Sequence, residues 1–249
     1  AVLQELLPYW IINLISKEGN LLQTENKQIK TKIREVFAMK IVDLSHPYKM
    51  GMTQFPGTPP IDVKQIAQID EGGFRVTDFH SIVHVGTHCD APAHCLKGAK
   101  TMDQIPLDEF IGHAVIVDVC VDNEKEIQPD VFKNYDIKPG DIVLLRTGYS
   151  KYWGTTKYVE DSPYLSEATA QALVDLKIKA IGMDFLSPDK VEDTTSPTHK
   201  IFMKNNVHII ENLNRLNEID KPRVFFAAAP VLIDKADGGF TRAFAILDN

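Results

Sequence analysis

The chain has 249 residues, of which 44% are hydrophobic and 24% charged, with 14 Gly and 14 Pro; these proportions exclude a disordered, collagenous or coiled-coil protein. A chain of this length buries roughly three quarters of its unfolded surface, enough for one large domain or two small ones. The net charge of −7 offers no general attraction to phosphate or anionic lipid, which argues against nucleic acid as a partner, and no run of about 18 apolar residues provides a membrane span.

Residues 1–38 read as a helical appendage or leader. Leu6 to Ile15 is a short apolar run broken by Pro8 and Asn13, and Gln23 to Arg34 is polar with several lysines; neither has the layout of a secretory signal. The folded domain is assigned to 39–249. Lys40 to Leu44 reads as a strand, followed by a Pro- and Gly-rich loop from Pro47 to Pro60. Three Val-, Ile- and Leu-rich segments read as further strands: His113 to Val121, Asp141 to Arg146 and Lys179 to Asp184. Ser166 to Lys177 carries Ala168, Ala172, Leu173 and Leu176 at helical spacing, with Ser166 as N-cap. Val224 to Ile233 and Thr241 to Leu247 read as two strands joined by a glycine turn at Asp237-Gly238-Gly239. Strands outnumber helices, so one mixed α/β domain with a large sheet component is expected. The three cysteines, Cys89, Cys95 and Cys120, are an odd number in a chain large enough to need no staples; they read as reduced thiols and a cytoplasmic location.

Chemistry concentrates in one stretch. Four of the eight histidines, His80, His84, His88 and His94, fall within fifteen residues, with Asp90 among them. Imidazole and carboxylate donors suit Zn or Mn, each donor sitting about 2 Å from the ion. In a straight strand His84 and His88 would stand roughly 13 Å apart, too far to share one ion. The strand must therefore break, and Gly86 permits the backbone angles for a bend at Gly86-Thr87. Pro92 then suits a first helical turn with Asp90 close to the N-cap position, placing His94 one turn from Asp90. Two other readings compete: Asp90 as a helix cap among loop histidines, and Cys89 as a nucleophile activated by His88. The second suffers because adjacent side chains point apart. His199 and Glu211 form a further donor pair that spacing alone does not bring to this cluster. His208 and Glu211 differ by an odd number, so in a strand they face opposite sides and His208 reads as packing or surface.

The run His84-x-Gly86-Thr87-His88-x-Asp90-x-Pro92-x-His94 resembles the signature of the putative cyclase family, which includes bacterial kynurenine formamidases and isatin hydrolases. Seven positions match at fixed spacing. Supporting stretches are Asp43-Leu44-Ser45-His46-Pro47, Phe55-Pro56-Gly57, Arg146-Thr147-Gly148, Gly182 to Asp189, and Ala229-Pro230 with Asp237-Gly238. The resemblance covers residue 40 to the C-terminus. It implies a metal-dependent amidohydrolase with a β-rich swivelling β/β/α fold, a single domain with mixed sheets, assembled as a homodimer or homotetramer. It also implies His84, His88 and Asp90 as metal ligands, with Asp90 able to bridge, His199 and Glu211 completing a second site, and His94 as the proton-transfer residue. One or two divalent ions per chain, Zn or Mn, follow from the same resemblance. Phe55 and Thr58 stand where the formamidases carry Trp and Asp, so the substrate pocket differs from theirs.

A divalent ion lowers the pKa of water and polarises a carbonyl, the two things amide hydrolysis needs. The expected substrate is a small molecule, an N-formylkynurenine-like aryl formamide or an isatin-like cyclic amide. Phe55, Tyr149, Tyr152 and Trp153 are candidates for shaping its pocket; Arg146 is expected to pair with Asp141, another acid or a substrate carboxylate. A non-catalytic metal-binding or regulatory protein that keeps the fold is the competing class. Nucleotide-dependent and serine-hydrolase chemistries are disfavoured, because the phosphate-loop, Gly-x-Gly-x-x-Gly and Gly-x-Ser-x-Gly runs are all missing.

Overall fold

The computed structural model describes residues 39–122 and 124–247; the appendage assigned to 1–38 lies outside them. The first strands are β1 (Lys40–Asp43), β2 (Asp62–Ala67), β3 (Val76–His80), β4 (His88–Asp90) and β5 (Ile111–Asp118). They are followed by β6 (Glu126–Ile127), β7 (Ile142–Arg146), β8 (Tyr164–Leu165) and β9 (Ala180–Met183), and then by β10 (His208–Glu211), β11 (Arg223–Ala227), β12 (Gly238–Phe240) and β13 (Phe244–Leu247). Among the described residues four short α-helices accompany them: α1 (Ile69–Gly72), α2 (Thr156–Glu160), α3 (Glu167–Asp175) and α4 (Pro197–Lys204). Among the described residues no helix is long and apolar enough to cross a membrane.

Nine strands form one mixed sheet in the order β1-β13-β11-β5-β7-β9-β10-β4-β12. β5, β7, β9 and β10 run parallel, and the flanking pairs β5–β11, β11–β13, β10–β4 and β4–β12 are antiparallel. Parallel strands covered on both faces need near-continuous apolar sequence, and β7 shows how it is used. Val143 and Leu145 pack into one cluster with Leu173 of α3 and Phe202 and Met203 of α4, whereas Ile142 and Leu144 enter a second with Ile116, Ile210 and Phe226. The second cluster also unites residues from the two ends of the strand order, Ala245 of β13 and Cys89 of β4. The Cys89 thiol donates to the Ala228 carbonyl at 3.3 Å, and the His46 N–H, just past β1, donates to Thr87 Oγ1, just before β4, at 3.0 Å. The sheet thus curls on itself, the mixed α/β single domain that the sequence predicts.

The helix at 166–177 is α3, capped as expected: Ser166 Oγ accepts the Thr169 N–H at 3.1 Å. Two expectations are corrected. β11 and β13 do pair antiparallel, but Gly238 and Gly239 lie in a strand, opposite Asp90 and Cys89 of β4, and make no turn. Close approach explains them: a Cβ on Gly238 would stand 2.7 Å from His84 Cε1 and 2.9 Å from the Cys89 carbonyl oxygen. Asp90 caps no helix; it belongs to β4, and Ala91 occupies the N-cap position of the 3-10 turn Pro92–His94. Of the partners open to Arg146, another acid is the one found: it forks onto Asp118 at 2.5 and 2.8 Å, while Asp141 is held by Arg223 at 2.7 Å.

Two buried imidazoles away from the metal-donor cluster make stability depend on pH. His208 packs against the Phe110 ring and His46 stacks on Trp153 with ring centroids 3.8 Å apart; each is 4% exposed. Burial pushes both down from 6.5 to about 4. With the folded pKa below the unfolded one, their contribution is fully present above pH 6.5 and is lost as pH falls towards 4, because only the unfolded chain takes up the proton there. The loss is about 3 kcal/mol for each. Urea unfolding of His208→Gln is therefore expected to show a pH dependence flatter by about that amount between pH 7 and 4; an unchanged slope would refute this assignment.

Candidate metal centre

The bend required by the sequence is present. Gly86 has φ +60°, an angle that favours glycine, and a Cβ there would displace the Met52 tip at 2.9 Å and press on the Tyr48 ring at 3.3 Å. The Tyr48 hydroxyl clamps the turn, sharing its proton between the carbonyls of Val85 and Thr87 at 3.0 and 2.9 Å. Thr87 Oγ1 donates to the Asn212 carbonyl at 2.7 Å, tying the bend to the end of β10. As a result the His84 and His88 ring centroids are 5.2 Å apart.

Tertiary structure adds the distant donors. The antiparallel pairing of β4 and β10 sets Glu211 opposite His88, and α4 carries His199. Asp90 is the hub: its Oδ1 lies 2.8 Å from His84 Nδ1 and 3.3 Å from His88 Nε2, and its Oδ2 lies 3.6 Å from His199 Nε2. Glu211 closes the ring, with Oε2 3.4 Å from His88 Nε2 and Oε1 3.4 Å from His199 Nε2. Donors bound tetrahedrally about 2.1 Å from one ion stand about 3.4 Å from each other; four of these five separations, 3.3 to 3.6 Å, match that spacing, and the 2.8 Å between His84 and Asp90 is a hydrogen bond. Hydrogen bonding does not satisfy this set: His88 Nε2, Asp90 Oδ2 and Glu211 Oε1 are buried without a hydrogen-bond partner among the described residues. Buried polar atoms are otherwise almost always paired, so these fit a cation. His84, His88 and Asp90 form one group of mutually close donor atoms, and Asp90, His199 and Glu211 another.

The far sides of the rings fix which nitrogen faces inward. His88 Nδ1 donates to the Gly86 carbonyl at 2.9 Å. His199 Nδ1 donates to Asp189 Oδ2 at 2.5 Å, and the same carboxylate accepts the N–H groups of Thr198 and His199 at the start of α4. Partners of this kind orient a ligating imidazole. Burial alone would lower His84, yet the carboxylates of Asp237 and Asp90 override it and hold the ring up to about 10. His199 is raised against its burial by Asp189, Asp90 and Glu211. Burial would raise Asp90, but His88, His199 and His84 keep it well below the usual carboxylate range. A cluster that binds protons this firmly offers the charge balance that a divalent ion replaces as it displaces them.

Residues 42–190 match the family described as "Putative cyclase". The chain belongs to this family. Within the putative cyclase family it is 27% identical over 203 residues to a kynurenine formamidase from Bacillus cereus, covering 81% of this chain and 95% of that enzyme. A solved "predicted metal-dependent hydrolase from Bacillus stearothermophilus" is 30% identical with a TM-score of 0.70, covering 84% of this chain and 98% of that one. Isatin hydrolase A from Ralstonia solanacearum shares the fold, with a TM-score of 0.75 at 21% identity over 93% of this chain and 99% of that one.

In this putative cyclase the donor atoms open onto a cavity of about 630 Å³. His84, His88, His94, His199 and Glu211 line it, and Phe55, Ile82 and Leu186 supply apolar wall. Asp90, the hub, is buried behind them. Tyr152 and Trp153 are not brought here. Tyr152 lines a separate cavity with Lys125, Lys151 and Lys157, and Trp153 stacks on His46; Tyr149 is buried beside Tyr158. Cys89 is buried with its thiol on the Ala228 carbonyl, and burial pushes that thiol well up, the reverse of an activated nucleophile. Two carboxylates at the site lie in the stretches that carry the family resemblance but receive no role from the sequence: Asp189, behind His199, and Asp237, 3.0 Å from His84 Nε2 and 3.4 Å from His94 Nδ1. The available signals were the Asp189 carboxylate ahead of the Ser196-Pro197 helix start, and an acid directly before two glycines.

Proposed function

We propose that this chain is an amidohydrolase that uses metal-activated water to cleave an amide bond of a small molecule, an N-formylkynurenine-like aryl formamide or an isatin-like cyclic amide. The observation that carries this reading is the trio of buried, unpartnered donor atoms on His88, Asp90 and Glu211, facing one another below a cavity of substrate size. His84, His88 and Asp90 would hold one ion and Asp90, His199 and Glu211 a second, since the two Asp90 oxygens face different imidazoles. Nitrogen and oxygen donors without thiolate suit Zn or Mn. When bound, such an ion supplies water with a lowered pKa and a Lewis acid for the substrate carbonyl.

The remaining work falls to side chains. His94 is the imidazole outside both groups around Asp90; its Nδ1 is directed at Asp237, which leaves Nε2 to take a proton from attacking water and return it to the departing nitrogen. Burial lowers the His94 pKa, keeping the ring neutral and able to accept. Phe55, with Ile82 and Leu186, would receive the apolar body of the substrate and exclude water from it. The reading extends to a homodimer or homotetramer in the cytoplasm; the family resemblance and the three free cysteines support it.

Removal of metal with a chelator is expected to abolish amide hydrolysis, and addition of Zn or Mn to restore it, when N-formylkynurenine, isatin and a wider amide panel are assayed. Metal-loaded protein that turns over no member of the panel would overturn the reading in favour of a non-catalytic metal-binding protein.

A further inference from the structure

The Asp237-Gly238-Gly239 run belongs to neither donor group around Asp90, yet it reaches the cavity. We propose that Asp237 is a positioning residue: one of its carboxylate oxygens accepts a ring N–H from both His84 and His94 and so fixes the tautomer of each. The proposal rests on His94 being the proton carrier of the reaction proposed above.

The geometry is specific. Asp237 Oδ2 lies 3.0 Å from His84 Nε2 and 3.4 Å from His94 Nδ1, and the two rings lie against each other with centroids 3.9 Å apart. His84 is spanned by carboxylates, Asp90 on Nδ1 and Asp237 on Nε2. If Nδ1 is the donor to the ion, Nε2 must carry the hydrogen, and Asp237 receives it. The backbone holds Asp237 in register, because its carbonyl accepts the Ala91 N–H at 2.9 Å, directly after Asp90. Gly238 completes the arrangement: any Cβ there would collide with His84 Cε1 and push the ring off the carboxylate.

For His94 the consequence is chemical. A neutral imidazole has one N–H and one acceptor nitrogen. In water the Nε2–H form prevails, and in that form Nε2 could not accept a proton from the cavity. Asp237 selects the Nδ1–H form and turns the basic Nε2 towards substrate, the role a buried acid plays for a catalytic histidine in hydrolases. His84, His94 and Asp237 are also mutually close enough to hold an ion. Their atoms are paired within the set, however, His84 Nε2 and His94 Nδ1 both lying on Asp237 Oδ2, which favours a hydrogen-bonded set.

The test uses Zn-loaded protein labelled with 15N-histidine. Long-range 1H–15N spectra are expected to show His94 as Nδ1–H in the unaltered chain and as Nε2–H in both Asp237→Ala and Asp237→Asn, the latter because an amide turns its NH2 towards Nδ1. Turnover of Asp237→Ala, measured with saturating Zn, is expected to fall about 10- to 100-fold in kcat with KM little changed. An Nε2–H tautomer of His94 in the unaltered protein, or a His94 tautomer indifferent to Asp237→Ala, overturns the proposal; so does a His84 Nε2 that carries no hydrogen in the unaltered Zn-loaded protein, which would make it a ligand atom instead of a donor to Asp237. If the tautomer responds as expected but no amide is hydrolysed, the positioning role stands and the proposed activity fails.

Discussion

Replacing His94 by alanine is expected to leave bound metal unchanged while lowering turnover by about 100- to 10,000-fold. His94 closes the 3-10 turn Pro92–His94, and its side chain is one third exposed to the cavity, unlike the buried His88 and His199. The closest acid to its ring is Asp237; neither Asp90 nor Glu211 comes within ion-pair distance of it among the described residues. An imidazole so placed can approach a substrate without surrendering an ion. Metal analysis and single-turnover kinetics on the same preparation decide the matter: a parallel fall in metal content and rate would make His94 a ligand and remove the proton carrier from the mechanism. A Gln at this position, isosteric in reach but with no titrating nitrogen, should behave as the alanine does.

What the sequence discloses and what it hides divide along the range of each interaction. The bend at Gly86 is a local event, and the ligand trio His84, His88 and Asp90 spans seven residues, so the need for a short donor separation predicts a left-handed glycine that the structure contains. His199 and Glu211 enter through resemblance alone, because the pairing of β10 with β4 and the seat of α4 are tertiary facts. Asp237 lies 153 residues from His84, beyond any spacing rule. The same run was open to misreading for a related reason: two glycines after an acid mark a turn by local chemistry, whereas here they make room for an imidazole and for Pro230. The aromatic segment 149–153 illustrates the remaining limit. Composition marks it as apolar and polar-tipped, suited equally to substrate or core, and only the packing of Trp153 onto His46 and of Tyr149 onto Tyr158 separates the two uses.

Asp90→Asn is expected to empty both donor groups, with affinity for each ion falling by more than about 100-fold and hydrolysis disappearing with it. Three imidazoles converge on this one carboxylate, two on Oδ1 and one on Oδ2. An amide offers only one oxygen, and its NH2 would face a nitrogen that must itself donate to the ion. His199→Ala is the informative contrast: it leaves His84, His88 and Asp90 intact, so on the proposed two-ion reading metal content is expected to fall from two ions to one. Stability should follow the same hub. In metal-free protein the Asp90 carboxylate is buried, 1% exposed, and held ionised by His88, His199 and His84; removing its charge takes away the one carboxylate the three rings share and leaves them to Asp237, Asp189 and Glu211, a loss of about 3 kcal/mol. Metal stoichiometry by elemental analysis and urea unfolding of the metal-free forms test both halves. Unaltered metal content and catalysis in Asp90→Asn would show that no ion depends on this residue, and the bridged centre would fall with it.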